Sequence, residues 1–315
     1  NGRFELALED GPKSPGGDIS LLTGIELDDL SESKGVTSFL RPEDGQFDPT
    51  NPNVFWFVTT ASFTGQSRLY KLTFDDITNP ETGGTIEAVL SSSDLPVNST
   101  VGPRMMDNIT VNSDGKVIIQ EDVGNNAHLG RTLQYDPVTD KVVVIATHDA
   151  ARFISGTPGF ITQDEETSGV IEISDILGNT GGDKTYLFVD QVHNNLRVSD
   201  PELVEGGQFG VLRVTNNAPV ITSNGGAASA TVYVAENSTA VTTVVATDDL
   251  IDTVTYSITG GADATRFAIN GTTGALSFVN APDFEAATDA GANNVYDVVV
   301  TASDGTKTDS QALAV

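Results

Sequence analysis

The chain has no cysteine. That excludes disulfides, zinc–thiolate sites and iron–sulfur clusters within its 315 residues, and leaves apolar burial and hard cations to hold the fold. Basic residues are scarce. Sixteen Lys and Arg face forty-four Asp and Glu, a net charge of −28, which argues against nucleic acid and anionic membranes as partners. Long apolar runs are missing too, so no stretch approaches the roughly 18 residues a membrane-spanning helix needs. Helical periodicity is nearly absent. The best candidate is "LLTGIELDDLSESKG" (21–35), with apolar positions at Leu22, Ile25, Leu27 and Leu30 and Gly35 as a stop. The chain opens at Asn1 without Met and ends inside the alternating run "QALAV", and we expect a piece of a longer polypeptide.

What is present suits a folded β protein. Hydrophobic residues make up 38% and charged residues 19%, a composition that can bury a core. Short β-like runs follow one another: "VFWFVTT" (54–60), "SRLYKLTF" (67–74) and "TIEAVL" (85–90). "DNITVNSDGKVIIQED" (107–122) reads as a hairpin around Asn112–Gly115, whose Gly supplies the positive φ of a tight turn. "RTLQYDPVTDKVVVIATH" (131–148) repeats that plan around Pro137–Asp140. Two consecutive hairpins make a four-stranded antiparallel unit of propeller-blade size, and "GVIEI", "KTYLFVDQV" and "QFGVLRV" supply another. We expect three to four blades in residues 36–214, too few to close a ring of about four to eight.

At Asn216 the composition shifts. Aromatics thin out, Thr, Ala, Val and Gly take over, and seven short period-2 runs follow in about a hundred residues. The expected class is all-β: a partial propeller over 1–215, then a cadherin- or immunoglobulin-like β-sandwich over 216–315. "NNAP", with Pro219, forms the joint.

The candidate chemistry lies in acids. "TQDEETSG" (162–169) sets Asp164, Glu165 and Glu166 side by side between apolar runs. Like charges repel, so the stretch is either a solvated loop or a cation site. Three further β-run ends carry acids: Glu43 with Asp44, Asp107 with Asn108, and Glu121 with Asp122. Radial blades bring such ends to one axial point, where four clusters could cage a hard cation. Arg41 stands two residues from Glu43 in a chain poor in basic residues. Its guanidinium fork suits phosphate, and the following Pro42 is expected to hold it extended. His128, His148 and His193 show no metal-ligand spacing and read as core or solvated histidines. No phosphate-cradling Gly loop or nucleophile elbow occurs.

Residues 217–315 resemble a bacterial cadherin repeat. The motifs appear in that family's order: "NNAPVI", "VAEN" (234–237), "ATDDLIDTVTYSITGG" (246–261), "FAINGTTGALSF" (267–278), "PDFEA" (282–286) and "VTASDG" (300–305). The resemblance implies calcium at the boundary with a following repeat, held by Glu236, Asp283 and Glu285. Asp248 and Asp304 would face the preceding boundary, although "TDDL" replaces the family's cleaner Asp-x-Asp.

Residues 3–214 resemble the C-terminal half of the PhoX-type alkaline phosphatases, a propeller group with phytase-related, esterase-like members. "RPEDGQFDPTNPNVFWFVTT" (41–60), "RLYKLTFDD" (68–76), "MMDNITVNSDGKVIIQED" (105–122), "QYDPVTD" (134–140), "QDEETSGVIEISDILG" (163–178) and "DPELVEGGQFGVL" (200–212) carry that likeness. It implies an extracellular phosphate-monoester hydrolase with a multinuclear calcium and iron centre. Arg41 would bind phosphate, with Glu43, Asp107, Asn108, Glu121, Asp122, Asp164 and Glu165 as metal ligands. The family's cysteine iron ligand has no counterpart here, so iron would require ligands from an upstream half. The alternative is a non-catalytic surface or filament protein of calcium-binding β domains, whose partners would be neighbouring repeats or other copies of itself.

Overall fold

The computed structural model describes residues 2–4, 23–33, 35–193, 206–249 and 252–315. Leu22 of the expected helix and residues 200–205 of the last phosphatase-like motif lie outside the described residues. The chain divides into two compact units, one of Asn1–Ile173 with Tyr186–Leu212 and one of Ser174–Thr185 with Arg213–Val315. The sequence put the division near 216 and left 174–185 in the first region. Those twelve residues join the second unit because its polar groups hold them: Asn216 N–H donates to Asp183 Oδ1 at 3.1 Å, and Asn216 Nδ2 donates to the Gly181 carbonyl at 3.1 Å.

Three sheets build the first unit. Strands β1 (Gly2–Phe4), β2 (Pro42–Asp48), β3 (Asn51–Thr59), β4 (Arg68–Phe74) and β5 (Gly84–Ser91) form one, in the order β1-β5-β4-β3-β2. Strands β6 (Met106–Val111), β7 (Val117–Glu121), β8 (Arg131–Asp136) and β9 (Lys141–Thr147) form the second as a simple meander. The third holds β10 (Glu165–Glu172), β11 (Lys184–Val192) and β12 (Gly206–Val214). No closed ring of sheets occurs among the described residues.

Alternation explains the layering. Val54, Trp56 and Val58 of β3 point one way and are buried with Leu69, Leu90, Ile119 and Leu133 in the core between the first two sheets. Each such side chain contributes about 1.5–3 kcal/mol by leaving water. Trp56 Nε1 donates to Asp48 Oδ2 at 3.2 Å, which satisfies its one polar atom inside that core. The turn between β6 and β7 forms as expected. Gly115 has φ 77°, and Asn112 Oδ1 accepts from the N–H groups of Asp114 and Lys116. The third sheet meets the second through Asn112 Nδ2 to Tyr186 OH (3.1 Å), Ser113 N–H to Glu172 Oε2 (2.7 Å) and a lone antiparallel bridge between Asp122 and Glu166.

The second unit contains β13 (Val220–Ile221), β14 (Ser229–Thr231), β15 (Ala240–Thr243), β16 (Ala246–Thr247), β17 (Thr255–Gly260), β18 (Phe267–Ile269), β19 (Ala275–Phe278), β20 (Asp297–Ser303) and β21 (Thr308–Ala314). One sheet runs β14-β21-β20-β17 and a second β15-β19-β18. Ile221, Val244, Phe267, Leu276, Phe278, Tyr296, Val298 and Val300 fill the core. The short strand β14 pairs with the last, β21, in parallel.

Helix is sparse, as the periodicity indicates. α1 (Gly24–Ser33) starts at a capping box in which Thr23 N–H donates to Glu26 Oε2 and Glu26 N–H to Thr23 Oγ1. Gly35, at φ 70°, closes it by donating to the Glu32 carbonyl. No helix among the described residues is long and apolar enough to cross a membrane.

Candidate functional site

Two sets of acids stand out, one in each unit. In the first unit, strand ends bring Arg41, Glu43, Asp107, Asp122, Asp164 and Glu166 into one electrostatic neighbourhood. Asp107 is pushed up to about 6, first by burial and then by the charges of Asp122, Glu43 and Glu166, while a hydrogen bond from Thr60 Oγ1 (3.1 Å) pulls the other way. Burial also raises Asp122, with Glu166 and Asp164 adding to the effect; the Gly124 N–H and Arg41 oppose it. Asn108 turns its amide onto Asp107 Oδ2 at 2.7 Å. Arg41 Nη2 lies 3.4 Å from Glu43 Oε1, and Nη1 donates to the Ala61 carbonyl at 3.3 Å. A mutually repelling group of half-buried carboxylates beside one guanidinium is chemistry suited to a cation and an anionic ligand.

The backbone is strained at the same place. Arg41, Ala61 and Met105 have φ of 54°, 57° and 44°, a region that costs L-residues about 1–2 kcal/mol. Arg41 is therefore not extended as its position before Pro42 predicts. The Thr60 N–H donates to the Arg41 carbonyl and the Ala61 N–H to that of Leu40, and these bonds hold the left-handed turn. Nothing local in the sequence signals this, since the partners are some twenty positions away.

Glu121 and Glu165 sit apart from the group. Strand alternation sends Glu121 to the face opposite Asp122, and Glu165 opposite Glu166. Glu121 is fully buried and binds Arg131 through two bonds, of 2.6 and 2.8 Å. It also accepts from the Arg104 N–H and faces His128 Nε2 at 3.2 Å, so its lone pairs are committed. Glu165, 1% exposed, accepts from the Gly130 N–H. His148 lies between two buried acids, its Nδ1 3.2 Å from Glu165 Oε1 and its Nε2 3.8 Å from Asp190 Oδ1. Burial raises Asp190, and Glu165 adds to that while His148 counters it. Glu166, absent from the expected ligand set, is the one whose charge acts on Asp107 and Asp122, and His193 Nε2 lies 3.3 Å from its Oε2. Counting in twos along "DEETSGVIEI" would have separated the pair.

In the second unit the expected trio comes together. Glu236, Asp283 and Glu285 each offer an oxygen within 4.8 Å of the others, all exposed. Asn237 N–H donates to the Pro282 carbonyl, Phe284 N–H to Glu236 Oε2 and Glu285 N–H to Asp283 Oδ1, so the two segments are tied before any ion arrives. A second trio joins Asp248 to Asp249 and Asp252. The sequence shows Asp249 only as part of a departure from Asp-x-Asp and does not single out Asp252. Partial burial raises Asp248, with the charges of Asp304, Asp252 and Asp249. Asp304 is held low despite some burial, because the N–H groups of Lys307 and Thr306 and the Asn216 amide donate to it.

No family model matches the chain, and no curated protein matches it. Similar solved structures are cadherin repeats. Human protocadherin-24 EC1-2 is 23% identical over 32% of this chain and 43% of its own, with a TM-score of 0.25. Chicken VE-cadherin EC1-2 is 19% identical over 42% of this chain and 66% of its own, with a TM-score of 0.24. Protocadherin gammaB7 EC3-6 is 15% identical over 80% and 56%, with a TM-score of 0.27. The chain thus spans less than half the length of the first of these. At such scores the likenesses carry no weight for fold or site, which rest on the residues.

Proposed function

We propose that this is an extracellular surface protein whose second unit is a cadherin-like module serving adhesion or spacing and stiffened by calcium. The observation that carries this is the trio Glu236, Asp283 and Glu285, brought within 4.8 Å from segments 47 or more residues apart in sequence. Three exposed carboxylates repel one another without a cation, and an all-oxygen donor set is what calcium prefers. Extracellular modules of this kind bind with Kd of about 10⁻⁴–10⁻³ M. A following repeat would supply the remaining ligands, and neighbouring repeats or further copies would be the partners. Calorimetric titration tests this: Glu236→Gln with Asp283→Asn and Glu285→Gln should abolish a millimolar-range calcium site, and an unchanged isotherm would remove it.

A second reading is carried by a separate observation, the strained, half-buried group around Arg41. On it, the first unit belongs to a propeller-type phosphoesterase. Calcium held by Glu43, Asp107, Asp122 and Glu166 would polarise a phosphate monoester, and the Arg41 fork would bind two of its oxygens. Lysine cannot reproduce that fork. Arg41→Lys should therefore lower phosphatase activity on the order of tenfold or more with calcium content intact. Absence of chelator-sensitive activity in the parent protein would leave the adhesive reading alone.

A further inference from the structure

Glu236, Asp283 and Glu285 are exposed, and the backbone beneath them ties them together. Asp283 starts a short 3-10 turn, Phe284–Ala286, by accepting the Glu285 N–H at 3.0 Å. Glu236 reaches the same turn by accepting the Phe284 N–H at 3.0 Å. One oxygen of each of these two carboxylates is thus turned onto backbone, which leaves the other for a cation. The peptide between Phe284 and Glu285 carries the arrangement. Its N–H meets Asp283, and its carbonyl accepts from Asn294 Nδ2 at 3.1 Å.

We propose that Asn294 is a positioning residue for calcium at this trio. The proposal rests on the adhesive reading above, whose site it serves. Asn294 is itself fixed. Its backbone is left-handed at φ 59°, a conformation that Gly and Asn adopt at least cost. Asp289, 7% exposed, holds it there: Oδ1 accepts the Asn294 N–H at 3.0 Å, and Oδ2 accepts the Asn293 N–H at 2.9 Å. The order of action runs from the buried Asp289 to Asn294, from its amide to the Phe284 carbonyl, and from that peptide plane to the carboxylates on either side. Calcium takes oxygen ligands at about 2.3–2.6 Å, so a peptide plane free to rotate would carry Asp283 and Glu285 off those distances. The Asn294 amide is uncharged, so its contribution is geometric. Groups that orient metal ligands in this way typically change affinity about 10–100-fold.

The test is a calcium titration of the full chain, followed by NMR at the Phe284 and Glu285 amides. Asn294→Gly keeps the left-handed backbone without strain and removes only the side-chain amide. It should raise Kd about tenfold or more, with the melting temperature in chelator unchanged. Asn294→Asp, whose carboxylate cannot donate to a carbonyl, should weaken binding as well. A wild-type Kd in either variant overturns the proposal. Tighter binding by Asn294→Asp overturns it too, because that marks position 294 as a ligand. Should Asn294→Gly melt lower, Kd read well below the melting temperature still decides, since folded-state resonances report only folded molecules. The calcium reading fails separately. In that case the variant with Glu236→Gln, Asp283→Asn and Glu285→Gln titrates like wild type, and the role of Asn294 falls with it.

Discussion

The two units place their clustered acids differently. The first buries it: Glu121 is neutralised by Arg131, Glu165 and Asp190 flank His148, and Asp107 keeps its proton to about pH 6. The second buries some, as at Asp263 and Asp289, but sets Glu236, Asp283 and Glu285 together at exposed loop ends. Internal counter-charge makes a unit stable but pH-sensitive. On the proposed reading, exposed acid leaves stability to the calcium in the medium.

The sharpest way to break this contrast is at Arg131. Arg131→Met strands a fully buried Glu121 and should cost the first unit about 3–5 kcal/mol, while a Glu121→Leu/Arg131→Met double variant should recover most of it. Trp56 is the only tryptophan, so urea unfolding followed by its fluorescence reads this unit alone. A loss of under about 1 kcal/mol would show that the pair is not what holds the layer together.

Asp107 comes next, measured in chelator. Its carboxyl binds a proton more tightly folded than unfolded, because burial raises it from 3.8 to about 6. Its contribution is therefore complete below pH 3.8 and is lost as pH rises through about 6. Linkage puts the loss near 3 kcal/mol, and solvent screening brings it to about 2. Asp107→Asn should flatten that part of the stability curve and raise stability at pH 7. The same slope in variant and wild type would assign it to another group.

The smallest effect belongs to the second unit. With Kd of about 1 mM, 10 mM calcium should add about 1.4 kcal/mol, and Asp283→Asn should remove most of that. Trp56 fluorescence should ignore calcium at this site, whereas tyrosine signals should follow it. Equal response from both would erase the distinction between the units.

Local signals were readable in the sequence. The Asn112–Gly115 turn, the Gly35 stop and the trio Glu236, Asp283 and Glu285 each depend on neighbours in sequence or on a motif of known order. Long-range pairing was not. Arg131 reaches Glu121 from the neighbouring strand, and Arg41 is turned by hydrogen bonds from residues 60 and 61. Assigning adjacent acids to one ligand set also overlooked the two-residue period of a strand, which parted Glu121 from Asp122 and Glu165 from Glu166. Residues 174–185, read with the first region, follow the second because Asp183 and Gly181 find their partner in Asn216.

The parallel pairing of β14 with β21 has a mechanical meaning. Ser229–Thr231 lies beside Ala312–Ala314 with both strands running the same way. A pull backwards on the start of β14 and forwards on the end of β21 acts along the strands. The Val232 N–H to Ala314 carbonyl bond and the Ala312 N–H to Ala228 carbonyl bond would then be sheared together, not peeled in turn. In the adhesive module proposed above, that arrangement would set the load at which the clasp yields.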